Sequence, residues 1–187
     1  MRRTLADQRG FTLVELLVYM VLLILVLAVA GGLLSSTLRH SATIRAVDES
    51  STAAQLAADS IESGIRNSSD FSLTSQPGGD QMIVARVAST DATLTWSCAA
   101  WYYSVANSSL RMSRSATAIV APTTAELASW TLLVDGVKPI SGSEIFTTTA
   151  GRRLVIAFNG LAGDHPPVAI TTSAFSRAGA TGSVSCF

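Results

Sequence analysis

Glu15 is the residue whose position first asks for a chemical explanation. It is the only formally charged side chain between Phe11 and Leu34, in a run that is otherwise almost wholly apolar. An ionised carboxylate at the centre of a bilayer costs about 2.5–3.5 kcal/mol, so an acid kept in such a run calls for an explanation, the plainest being an interfacial acid that snorkels toward the headgroups. Other residues able to do chemistry are sparse. Cys98 and Cys186 are far apart and outside any short metal-ligand spacing such as C-x-x-C, which argues against a metal site. Outside the cytoplasm the two are expected to form a disulfide, the other reading being two buried thiols. His40 and His165 are the two histidines, and no serine sits in a G-x-S-x-G elbow. "GLAGDHPP" has glycines without the spacing of a phosphate loop, and Asp164-His165 is expected at a solvated loop tip. We expect no catalytic residue, no metal and no cofactor.

Charge gives no further ligand class. Lys plus Arg and Asp plus Glu are 13 each in 187 residues, with no basic stripe, so a nucleic-acid partner is not expected. The length suits one ordinary domain with an appendage.

The element that holds Glu15 is the apolar run itself. Phe11 to Leu34 is about 24 residues, or about 36 Å as a helix, enough to cross a hydrocarbon core of about 30 Å. Arg2, Arg3 and Arg9 precede it, which keeps the N-terminus cytoplasmic and sends the rest of the chain across the membrane. Three fates fit these facts. A plain signal anchor leaves Glu15 unexplained. A secretory signal would be cut after Ala30, at the small-x-small sequence Ala28-Val29-Ala30. It too leaves the acid unexplained, and its apolar run is longer than usual.

The third fate accounts for the acid. "GFTLVELLV" resembles the N-terminal motif of type IV prepilins and of the pseudopilins of type II secretion systems: a short basic leader ending in Gly10, then Phe11, then an acid at the fifth place of the processed chain, Glu15. The resemblance implies cleavage between Gly10 and Phe11 by a membrane-embedded prepilin peptidase, with N-methylation of Phe11. It implies that Glu15 pairs with the terminal amine of a neighbouring subunit in a helical fibre. Methylation keeps that amine charged. The partners implied are the peptidase, other pilin or pseudopilin subunits, membrane lipid before assembly, and an assembly platform driven by a cytoplasmic ATPase.

Beyond Leu34 the chain runs to Pro77 without proline. Ile44, Val47, Ala54, Ala58, Ile61 and Ile65 recur at three- and four-residue steps, one apolar stripe on a helix. The two segments are expected to make one helix from about residue 11 to 67, with Gly31-Gly32 its weak point. "SSDFSLTSQPGGD", 68–80, is expected as a turn-rich linker. After it come "QMIVARV", "TLTWS", "AWYYSV", "LRMSRS", "WTLLV", "RLVIAF" and "VAITTSAF", short β-branched and aromatic runs divided by turn residues, which predict an antiparallel sheet. "TTAELASW" leaves room for a helical turn or two. Trp96, Trp101, Trp130, Tyr102 and Tyr103 are expected mainly as core.

"CAAWYYSVANSSLRMSRS", a hairpin turning near Asn107-Ser108, is similar to the strand pair after the helix in larger minor pilins and J-type pseudopilins, and "PPVAITTSAFSRA" to their final strand. The fold class expected is thus α+β and pilin-like, a long N-terminal helix packed on an antiparallel β-sheet domain. Its parts are a leader 1–10, a membrane or fibre-core half 11–34, an amphipathic half 35–67, a linker 68–80 and a β domain 81–187. The alternative is a signal-anchored or secreted binding domain that forms no fibre.

Overall fold

A computed structural model describes residues 12–89, 94–149, 152–162, 165–176 and 185–187, without the side chains at 42, 162 and 165. The chain divides into two compact units, Met1–Ile44 and Arg45–Phe187.

The first unit carries the start of α1 (Leu13–Arg66). The chain enters this helix at Thr12, whose Oγ1 accepts from the Glu15 backbone N–H at 3.3 Å, the hydrogen bond of an N-cap residue. An 18-residue window of α1 has a mean hydropathy of 2.9 and none of it is buried. Apolar on every side, it is long and apolar enough to cross a membrane. Gly31 and Gly32 stay helical. Past Leu34 the polar side chains close on their own helix, as Thr37 Oγ1 donates to the Leu33 carbonyl at 2.9 Å.

In the second unit α1 buries Ala54, Ala57, Ala58, Ile61 and Ile65. The expected stripe therefore starts later than its first members. Ile44 is 67 % exposed and Val47 only partly covered, because the sheets first reach the helix near Ser50, whose Oγ donates to the Leu161 carbonyl at 3.0 Å. Small residues let the layers meet closely. At Gly160 an added Cβ would come within 3.2 Å of the Ala54 methyl, and one at Gly64 would overlap the Trp101 ring. Trp101 lies fully buried there, its Nε1–H donating to Ser60 Oγ at 3.3 Å.

The first sheet is an antiparallel meander of β1 (Ser68–Ser75), β2 (Gln81–Ala88), β3 (Trp96–Ser104), β4 (Ser109–Ser115) and β5 (Thr131–Asp135). The second is built on β8 (Arg153–Ala162). One edge of β8 pairs with β6 (Val137–Pro139) and β7 (Phe146–Thr149) in succession, and β9 (His165–Phe175) pairs with the other. Gly136, at φ +67°, makes the corner between β5 and β6. No Cβ fits easily there, since it would meet Leu161 Cβ at 3.1 Å. Gln81 ties the two sheets together although it is fully buried. Its Oε1 accepts from the N–H groups of Ile145 and Phe146 at 2.8 and 3.0 Å, and its Nε2 donates to the Phe146 carbonyl at 2.9 Å.

β2 reads as an almost unbroken apolar run because both its faces are covered. Ile83, Ala85 and Val87 join the core under α1. Met82 and Val84 pack on the opposite side with Cys98, Ala100, Tyr102, Leu127 and Cys186. That outer cover includes α2 (Thr124–Leu127), a single turn with a capping box between Thr123 and Glu126.

Three expectations need correction. The linker 68–80 is mostly strand: β1 occupies Ser68–Ser75 and only the following Gln76–Asp80 stretch is a turn, closed by Gln76 N–H on the Asp80 carbonyl at 2.8 Å. Serine is a weak strand former, but here Ser68 and Ser69 are buried and Phe71 reaches the core, so tertiary packing overrides propensity. "TLTWS" and "AWYYSV" are not two strands; Trp96 to Ser104 is one, continuous because it is paired on both edges. β6 and β7 are strands too short for a sequence pattern to disclose.

Candidate functional site

Glu15 stands in the third position of α1, in the helix's first turn. Thr12 and Glu15 have the Thr-x-x-Glu spacing of a capping box, and the half of it seen is the Thr12 acceptor for the Glu15 N–H. One turn further on, Tyr19 O–H donates to Glu15 Oε1 at 3.5 Å, a long contact between neighbours on one helix face. Both side chains are exposed. The carboxylate thus sits in the first turn of α1, and it keeps oxygen lone pairs for a further donor. The cleavage junction expected between Gly10 and Phe11 lies outside the described residues. Tyr19, to which the sequence assigned no role, is brought beside the Glu15 carboxylate; the four-residue step was the available signal.

Cys98 and Cys186 are joined in a disulfide with a Cα–Cα separation of 5.5 Å. The two residues are 0 % and 2 % exposed. The bond fixes residues 185–187 on the face of β3 turned away from α1, the side that also holds Met82 and Val84.

His40 and His165 are placed on different elements. His40 is an exposed residue of α1, His165 opens β9, and Asp164 lies outside the described residues. Among the described residues no three His, Cys, Asp or Glu side chains are grouped to hold a metal. Most of the aromatic set is core. Trp101 and Tyr103 lie under α1, while Tyr102 donates its hydroxyl to Asp80 Oδ2 at 2.7 Å and meets Trp130 edge-on with centroids 6.2 Å apart. Trp96 lies at the margin beneath the Arg86 guanidinium, 5.3 Å from the ring centroid. Asp80 Oδ1 also accepts from the Val105 N–H at 2.8 Å, closing the β3–β4 loop onto the turn before β2.

Comparison with known families singles out the Glu15 segment. Residues 5–31 match the family described as the prokaryotic N-terminal methylation motif. Its span takes in Gly10, Phe11, Glu15 and Tyr19. No curated protein and no solved structure matched the chain.

Proposed function

We propose that this chain is a minor pilin or pseudopilin subunit, most like a J-type subunit. It is held in the membrane by α1, cut after Gly10, methylated on Phe11, and drawn into a type IV pilus-like fibre through its N-terminal helix. The observation that carries this reading is the methylation-motif match over residues 5–31, with Glu15 as the sole acid of the apolar run from Phe11 to Leu34. Cleavage supplies the cation that Glu15 lacks within its own segment. The amine of Phe11 in an adjacent subunit serves as the partner, and the pair sets the register of each added subunit.

The topology proposed is a single pass with the N-terminus cytoplasmic and the β domain outside. A disulfide in that domain accords with an oxidising side of the membrane. The partners proposed are the prepilin peptidase, sibling subunits, and the ATPase-driven assembly platform that extracts the subunit from lipid. Intact mass and N-terminal sequencing of protein from its native membrane test the processing step. The expected start is N-methylated Phe11; a start at Gly31 would mean ordinary secretion, and one at Met1 a simple anchor, either of which overturns the proposal.

A further inference from the structure

Where α2 meets one face of the paired strands β4 and β5 lies a cleft of about 370 Å³ to which the assembly reading gives no role. Its floor is polar. Ser109 Oγ and Arg111 Nε are buried there, and neither has a hydrogen-bond partner among the described residues. Ser109 is 2 % exposed. Among the described residues Arg111 makes a single hydrogen bond, from Nη1 to the Trp130 carbonyl at 3.0 Å. Leaving a buried donor without an acceptor is unfavourable. Two of them two residues apart on one strand point their donors to the same side of the sheet. Asp135 stands opposite Ser109 on β5, its Oδ1 accepting from the Gly136 N–H at 2.9 Å, and is hydrogen-bonded to neither Ser109 Oγ nor Arg111 Nε.

We propose that this cleft binds a monocarboxylate with a short apolar body, its oxygens accepting from Arg111 Nε–H and Ser109 O–H. A guanidinium matches the planar fork of a carboxylate. One cation with an acid at the rim suits a single negative charge better than the double charge of a phosphate. Leu127 and Leu132 line the same cleft and offer an apolar wall, and the volume is in the range of small-ligand sites, about 300–1,000 Å³. Because the floor atoms are closed to bulk water, the ligand enters by displacing the α2 turn, in which Leu127 is the buried residue. A free short-chain acid and the C-terminal residue of a peptide share this chemistry.

Calorimetric titration of the full chain in detergent micelles distinguishes the two sources, with isovalerate as the free acid and N-acetyl-alanyl-leucine as the chain end, each beside its neutral amide. The expected result is saturable binding of one acid with a Kd of about 1 mM or tighter and a loss of about tenfold or more for its amide. Arg111→Gln is expected to abolish binding. Leu132→Glu, a change at a side chain 47 % exposed, is expected to weaken it about tenfold with the melting temperature unchanged. Tighter binding of the peptide assigns a chain end as ligand, and equal or tighter binding of isovalerate a free acid. No binding of either, equal binding of acid and amide, or binding indifferent to both substitutions overturns the proposal. None of these outcomes depends on how the N-terminus is processed.

Discussion

Tyr102 shows how a single hydroxyl ties stability to pH. Burial is the main cause, and the hydrogen bond and negative charge of Asp80 add to it; together they push the phenol up to about 12, from an ordinary value near 10. A folded-state value above the unfolded one means that the stabilisation is fully present below about pH 10 and is lost as pH rises through about 12. A shift of this size is worth on the order of 2 kcal/mol. Denaturation midpoints followed from pH 9 to 12 should therefore fall, and Tyr102→Phe should remove that part of the fall. An equal slope in wild type and variant would show that Tyr102 does not carry it. Gln81 makes the complementary point. A glutamine at the head of an apolar strand gives no hint that all its hydrogen-bonding atoms are used inside the protein, because its partners, Ile145 and Phe146, are contributed by a loop and strand more than sixty residues away. Its role was not legible in the sequence, and neither was that of Gly64, which is set by the Trp101 ring.

At the scale of elements, legibility followed the length and regularity of the pattern. α1 was readable because its apolar run and its lower stripe repeat over many turns. The strands with several consecutive β-branched or aromatic residues were readable for the same reason, as was the hairpin at Asn107-Ser108, where Ser108 takes φ +47°. β1 was hidden by its serines, and β6 and β7 exist only because β8 offers an edge to pair with. The two-sided burial of β2 and β3 depends on a cover whose last piece, residues 185–187, is attached through the Cys98–Cys186 bond. Cys186→Ser, made in the full chain, should cost about 2–5 kcal/mol in chemical denaturation. In the native wild type the buried sulfurs should resist reductant that acts readily on the unfolded chain. An unchanged denaturation midpoint for Cys186→Ser would show that the tether does not stabilise the outer layer.

At the scale of the molecule, the assembly reading turns on what Glu15 does once the chain leaves lipid. In the membrane the acid is near the start of α1, where a carboxylate is cheap compared with mid-bilayer. On the assembly reading an apolar fibre core would withdraw that solvation, and the acid would then need the Phe11 amine of a neighbour. Losing one member of a buried pair costs about 3–5 kcal/mol, on the order of a hundredfold or more in the equilibrium for adding a subunit. Glu15→Leu leaves the Gly10-Phe11 junction and the apolar helix intact, so it should be inserted and processed as wild type. In fibres sheared from cells and compared with the membrane fraction, processed Glu15→Leu should be depleted by that factor, and Glu15→Asp, which keeps the charge on a shorter arm, should fall between the two. Retained cleavage with lost incorporation separates docking from processing, because a failure of the peptidase would leave the leader in place. If the leucine variant entered fibres at the wild-type level, the acid would have no docking role and α1 would hold the fibre by apolar packing alone.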